Sequence, residues 1–386
     1  MAQYTLVATC SFGLESLVAR ELRSLGYDEL SVENGKVTFN GNERDIARTN
    51  IWLRTADRIL IKVRAFKATD FEELFQGTLD TGWEGFLPID AKMHVIGKSV
   101  RSTLSSVKDC QSIVKKAIVQ AMRRRHHVAR FPETGPLYKV EVGLLKDVAT
   151  LTIDTTGNGL HKRGYREESG EAPLRENLAA ALVMLSRWTP DRVLVDPLCG
   201  AGTLAIEAAL IGRNMAPGLL RTFVSEKWGQ IPGDIWRSVR EDAAARINET
   251  SFRVLASDRD GKVVKKAREN ALRAGVGDFI GFQKLPIEGF TSSRKYGCVI
   301  SNPPYGERMG EAKEVEDLYR SMGRVFSKLD QWSFFILTAH PRFETLFGRK
   351  ADKNRKLYNG NIRCYFYEYF GQLPPHRITG RMESRG

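Results

Sequence analysis

The sequence predicts an α/β protein in two parts, an α+β region followed by a doubly wound, mostly parallel sheet. Three observations predict it. From about residue 171, short β-rich runs alternate with helical stretches, as in strands joined by covering helices. The first of these runs feeds a glycine-rich turn that opens a helix, and the fourth ends in Asn302-Pro303-Pro304-Tyr305. Before residue 155, strands and helices mix without that alternation. At 386 residues the chain favours two or three domains, each able to bury a core without disulfide or metal staples.

The first region, about 1–50, begins with the apolar run Tyr4 to Ala8. A helical pattern through Leu14, Leu17, Val18 and Leu22 follows and stops near Gly26. The hairpin signal Asn34-Gly35 then introduces a strand at Lys36 to Phe39. The second region, about 51–155, has strands at Arg58 to Ala65, Lys92 to Lys98, Lys139 to Leu145 and Val148 to Thr152, with a helix from Ser105 to Arg125. The Gly- and charge-rich stretch inside 156–170 reads as a linker. The third region, 171–386, places strands at 192–195, 253–256, 279–282, 298–300 and 334–337.

With 59 Lys+Arg against 46 Asp+Glu the net charge is +13, which suggests a polyanionic partner, nucleic acid before anionic lipid. Residues 91–130 carry ten basic residues and one acid, Asp109, and a weaker surplus lies at 341–386. On the helix from Ser105, the apolar residues Val107, Cys110, Val114, Ala117, Ile118 and Ala121 recur at helical spacing. Lys108, Lys115, Lys116 and Arg123 occupy another face, followed by Arg124 and Arg125. A solvated face and a phosphate-contacting one both fit. The run lacks interleaved acids, so intrahelical ion pairs cannot explain it, which puts phosphate contacts on an even footing with a solvated face. Five widely separated cysteines exclude a disulfide framework and a paired-cysteine zinc site. No metal site is expected: His126-His127 lacks a carboxylate partner at ligand spacing and His161 lies in the linker, so solvated or phosphate-contacting histidines fit all three better. The N-terminus has no leader pattern and no run of 18 apolar residues occurs, so a cytoplasmic location is expected.

The chemistry sits in turns. The strand ending at Val195 leads into Asp196-Pro197-Leu198-Cys199-Gly200-Ala201-Gly202-Thr203, where the glycines let a ligand approach the backbone and a helix N-terminus. Ala205 stands where a dinucleotide fingerprint needs its third glycine. An acid before the glycines suits a ligand with an ammonium group, such as S-adenosylmethionine. Asp258 ends the next strand and suits a pair of ribose hydroxyls; a helix cap from Ser257, Asp258 or Asp260 is the alternative. The long interval to Asp258 implies an insertion at about 213–250, with Trp228 and Trp236. At the fourth strand exit the two prolines stiffen the loop. Asn302 and the Pro303 carbonyl then offer two acceptors to an exocyclic amine, with Tyr305 as a stacking surface for an unstacked base. Cys199 reads as a small residue packed in a tight turn, not as a nucleophile.

Together with Gly159-Leu160-His161-Lys162-Arg163-Gly164-Tyr165-Arg166 and Ala172-Pro173-Leu174-Arg175-Glu176-Asn177, these motifs resemble the THUMP-domain, class I S-adenosylmethionine-dependent RNA guanine-N2 methyltransferases. The resemblance covers nearly the whole chain. It extends to the N-terminal half of the bacterial 23S rRNA methyltransferase RlmL and to proteins labelled N6-adenine-specific DNA methylases. It implies a Rossmann-like methyltransferase domain with a mostly parallel seven-stranded sheet over 171–386, a ferredoxin-like unit over 1–50 and a THUMP RNA-binding domain over 51–155. Carried over by residue, it puts Asp196, Pro197, Cys199, Gly200, Gly202 and Thr203 in the cofactor loop and Asp258 on the ribose. It lines the cofactor pocket with Pro173, Leu174 and Arg175, and it gives the target amine to Asn302, Pro303, Pro304 and Tyr305, with Asn302 also facing the cofactor. One departure is Gln283-Lys284-Leu285-Pro286, where an acid usually faces the adenine amine; Gln283 or Glu288 would substitute.

The expected activity is methyl transfer to guanine N2 in RNA, with 23S rRNA as partner. Adenine-N6 methylation of DNA is the first alternative, since the catalytic loop alone permits it. A non-catalytic RNA-binding or ribosome-assembly protein is the second. The THUMP-like module and the absence of a helix-turn-helix favour RNA over DNA.

Overall fold

The computed structural model describes residues 2–127, 131–166, 174–306 and 312–375. The chain divides into two compact units, one of residues 1–164 with 215–247, the other of 165–214 with 248–386.

In the first unit the chain runs β1 (Tyr4–Thr9), α1 (Glu15–Ser24), β2 (Ser31–Glu33), β3 (Lys36–Gly41), α2 (Glu43–Trp52), β4 (Arg58–Lys67), α3 (Phe71–Leu79), β5 (Lys92–Val100), α4 (Val107–His126), β6 (Leu137–Leu145) and β7 (Val148–Asp154). These strands form one sheet in the order β2-β3-β1-β4-β7-β6-β5. The regions 1–50 and 51–155 therefore share a sheet, because β4 pairs with β1 on one side and with β7 on the other. Asn42 starts α2 with a capping box to Asp45, and Asp70 caps α3 through the Glu73 amide. Such caps help these two short helices form where the chain leaves the sheet.

The second unit contains α5 (Glu176–Leu185), β8 (Leu194–Asp196) and α6 (Thr203–Gly212). Residues 215–247, which include α7 (Gly233–Ala244), cluster with the first unit, although the sequence puts them in the catalytic region. The cause is aromatic and ionic packing within that unit. Trp228 stacks on Tyr138 at 4.4 Å and donates to the Leu137 carbonyl, and Arg44 on α2 pairs with Asp242 on α7. Gly218 lies so close to Ile51 that a Cβ there would sit 2.6 Å from the Ile51 Cα.

The second unit resumes with β9 (Val254–Asp258), α8 (Gly261–Arg273), β10 (Ile280–Lys284), β11 (Cys298–Ser301), α9 (Ala312–Phe326), β12 (Ser333–Thr338), α10 (Phe343–Phe347), β13 (Lys353–Asn359) and β14 (Ile362–Tyr369). Its sheet order is β10-β9-β8-β11-β12-β14-β13, parallel from β10 through β12, with β14 antiparallel to both neighbours. This is the Rossmann-like, mostly parallel seven-stranded sheet. The hairpin β13–β14 supplies two strands that the sequence reading does not place. Successive strands step outward from β8 to β10, then return to β11 on its other side, so the order reverses between β8 and β11. Ligands of open α/β sheets bind at such a switch point, beyond the strand C-termini.

Candidate active site

Asp196 ends β8 and Asn302 follows β11, on the two sides of the switch point, and Asp258 ends β9, one strand beyond Asp196. The Ser301 hydroxyl donates to Asp196 Oδ1 at 3.1 Å, joining β11 to β8. The Cys199 amide donates to the Ser257 carbonyl at 2.8 Å, and the Gly200 amide to Asp258 Oδ2 at 3.1 Å, joining the glycine turn to β9. Ser301 is absent from the sequence-predicted site; its place directly before the Asn-Pro-Pro run was the available signal.

The turn takes its shape from its glycines. Gly200 and Gly202 adopt φ of 50° and 83°, a region costly to other residues. A Cβ on Gly202 would approach the Ala267 Cβ to 3.0 Å, whereas one on Gly200 would meet nothing within 4 Å. Gly202 is thus needed for helix packing, and Gly200 leaves an open cradle over the turn. Asn270 on α8 donates to the Ala201 carbonyl at 3.0 Å and fixes the turn's outer side.

Asp196 is 2% exposed, and burial pushes its carboxyl up to about 7, with the nearby Asp258 adding to the shift. The Ser301 hydroxyl and the Leu198 amide oppose that shift without cancelling it. A buried carboxylate with so little compensation suits a cationic ligand group. Asp258 is half-buried, and its Oδ1 accepts from the Asp260 amide. The cap of α8 belongs to Asp260, which accepts from the Lys262 amide at 2.8 Å, so Asp258 is not consumed as a cap. Pro197 and Cys199 are buried, and burial drives the Cys199 thiol upward, away from nucleophilic character.

Thr203, the first residue of α6, accepts from the Arg166 guanidinium, which also donates to the Leu174 carbonyl and pairs with Glu176 at 2.9 Å. Arg166 thereby fastens the buried Leu174 to the helix that follows the glycine turn. Arg175 is exposed, and Pro173 lies outside the described residues. Gln283 and Glu288 are both exposed, and Lys284 stands in register with Asp258.

At the β11 exit Pro303 is buried, Pro304 exposed, and Asn302 and Tyr305 half-buried. The Tyr305 hydroxyl donates to Asn302 Oδ1 at 2.5 Å, so this side chain orients the amide, a contact that the stacking role alone does not anticipate. The Pro304 carbonyl accepts at 2.8 Å from the hydroxyl of the fully buried Tyr319, which in turn lies 2.8 Å from Thr338 Oγ1.

In the first unit, α4 buries Cys110, Val114, Ala117, Ile118 and Met122 and exposes Lys108, Lys115, Lys116, Arg123, Arg124 and Arg125. Acids from elsewhere in the fold reach two of these cations. Lys115 lies 3.6 Å from Glu133 and Arg125 lies 3.5 Å from Glu84, while Lys116 sits over the Phe75 ring. Among the described residues no helix is long and apolar enough to cross a membrane.

Residues 163–368, more than half of the chain, match the family described as an RMKL-like methyltransferase domain. Residues 5–60 match an RlmL ferredoxin-like domain and 68–154 a THUMP domain. The Bacillus subtilis (strain 168) protein YpsC, whose name describes an RNA methyltransferase, is 51% identical over 380 residues, covering 98% of each chain. The ribosomal RNA large subunit methyltransferase K/L of Legionella pneumophila (strain Corby) is 34% identical over 376 residues, 94% of this chain and 52% of that protein. The chain thus spans about half the length of that relative. SMU.472, described as a methyltransferase complexed with SAH, has a TM-score of 0.92 at 45% identity over 97% of this chain and 100% of that one. The chain belongs to the RMKL-like family of S-adenosylmethionine-dependent RNA methyltransferases.

Proposed function

We propose that the chain methylates the exocyclic N2 amine of a guanine in RNA, with 23S rRNA as substrate, and that it works in the cytoplasm. The observation that carries methylation of an exocyclic amine is Asn302-Pro303-Pro304-Tyr305 at the β11 exit, tied through Ser301 to Asp196 beside the switch point; guanine N2 in RNA is the target that the resemblance to the THUMP-domain methyltransferases favours.

The residues present fit S-adenosylmethionine: Asp196 for its ammonium group, Asp258 for its ribose hydroxyls, and the open face of Gly200 for close approach. That cofactor supplies an electrophilic sulfonium methyl group. Asn302 Oδ1 keeps a second lone pair beside the one used by Tyr305, and it accepts one amine hydrogen. The Pro303 carbonyl accepts the other. With both N–H bonds engaged, the nitrogen lone pair faces away from the loop, and the two oxygens stabilise positive charge as it develops on nitrogen. The proton then leaves to solvent. The ferredoxin-like and THUMP matches, together with the basic face of α4, support RNA as the polyanion.

The test is mass spectrometry of nucleosides from a strain lacking the gene. Loss of N2-methylguanosine from 23S rRNA is expected. Retention of that nucleoside with loss of N6-methyladenine from DNA would transfer the assignment to the DNA alternative, and no lost nucleoside would favour a non-catalytic role.

A further inference from the structure

We propose that the β13–β14 hairpin is the surface that carries the RNA strand flanking the target nucleotide. The inference rests on the reading that the substrate is RNA. Because β14 is antiparallel to both β12 and β13, β13 runs with the parallel strands, and the turn between Asn359 and Ile362 emerges at the same sheet edge as Asp196, Asp258 and Asn302.

Register then sets the chemistry of that edge. Lys356 faces Tyr365, and Tyr358 faces Arg363. Directly opposed residues share one face, so these four side chains alternate aromatic and cationic groups in both directions. The Lys356 ammonium lies 5.6 Å from the Tyr358 ring centroid. Further along the same face of β14, Tyr367 packs against Phe343 and Tyr369 against Phe347, each at 4.9 Å, under α10. That cover thins toward the turn: Tyr365 packs on the same core yet is half-buried, as is Tyr358, while Lys356 and Arg363 are exposed. Arg355, on the other face, is paired with Glu368 at 2.7 Å, whereas neither Lys356 nor Arg363 is in an ion pair among the described residues.

The platform is continuous with the target-amine loop. Thr338 on β12 stands in register with Tyr365, and its hydroxyl lies 2.8 Å from that of Tyr319, the donor to the Pro304 carbonyl. On the opposite face, Cys364 and Asn359 neighbour the Tyr305 hydroxyl. Lysine on an edge strand such as β13 also discourages pairing with other chains. That role accounts for neither Arg363, on the inner strand β14, nor the two tyrosines beside the cations. Stacking faces interleaved with cations match the needs of an unpaired nucleic-acid strand, whose bases stack and whose phosphates need neutralising.

The experiment uses the purified full chain, large-subunit rRNA from a strain lacking the gene, and SAH as a separate probe of the cofactor site. The Lys356→Ala/Arg363→Ala double variant is expected to raise KM for rRNA on the order of tenfold and to flatten its salt dependence by the equivalent of roughly one to two phosphates. Tyr358→Ala is expected to raise KM similarly and Tyr358→Phe to restore it, with SAH affinity unchanged throughout. Wild-type KM and salt slope in both alanine variants, with SAH binding intact, would overturn the platform. Loss of SAH affinity in step with KM would also overturn it, since the hairpin would then only support the sheet. If the wild-type protein methylates no RNA at all, the RNA reading itself fails.

Discussion

The basic helix α4 and the turns at the ends of β8, β9 and β11 divide the work in opposite ways. On α4 the cations are exposed, four of them along one face, and two already meet acids from elsewhere in the fold. At the strand ends the groups brought together are a desolvated carboxylate, an open glycine and an amide oxygen held by a tyrosine. Exposed charges act additively and through solvent, so each contributes a little affinity. Buried groups act through fixed geometry, so losing one removes a step.

The contrast between the two regions breaks most visibly at Asn302. Asn302→Ala is expected to lower kcat by on the order of 100-fold or more while RNA affinity stays within a few-fold, measured by single-turnover methylation and filter binding. A smaller effect is expected at Asp196. Its carboxyl holds a proton below about pH 7, whereas an ammonium ligand requires the ionised form. Cofactor affinity should therefore fall as pH drops below about 7, by up to about tenfold per pH unit, until the carboxyl of the complex itself protonates. In Asp196→Asn that dependence should vanish and affinity stay low at every pH, which calorimetry can follow.

The α4 charges come next. Neutralising Lys108, Arg123 and Arg124 is expected to reduce the salt slope of RNA binding by about one unit for each phosphate the helix no longer neutralises. Neutralising Lys115 and Arg125 should do less, because Glu133 and Glu84 already compensate them. A salt slope equal to wild type in the triple variant would remove α4 from the interface. The smallest effect concerns stability alone. Gly218→Ala forces a Cβ against the Ile51 backbone and is expected to lower the melting temperature of the first unit by several degrees, leaving the cofactor affinity of the second unit unchanged.

Most of the parallel strands were legible as short apolar runs, and Asp196, Asp258 and Asn302 were legible because they end or directly follow three of those runs. The hairpin β13–β14 was not. Lys353-Asn354-Arg355-Lys356 is polar because an edge strand with an exposed face needs few apolar residues, and so it carries no core signal. The membership of 215–247 was equally hidden, since the stacking of Trp228 on Tyr138 is a tertiary event between residues far apart in sequence. Ser301 and Tyr305 show the same limit within the site. Their side-chain types were visible, but the hydrogen bonds that tie Ser301 to Asp196 and Tyr305 to Asn302 depend on strand register. The acids that compensate α4 come from Glu84 and Glu133, outside the helix, where no periodicity could reveal them.

The most direct measurement is transfer of labelled methyl from S-adenosylmethionine to 23S rRNA by purified wild-type and Asn302→Ala proteins, followed by nucleoside identification. Labelled N2-methylguanosine is expected from the wild type and on the order of 100-fold less, or lower still, from the variant, at comparable RNA affinity. Label in another nucleoside, or equal labelling by both proteins, would contradict the assignment.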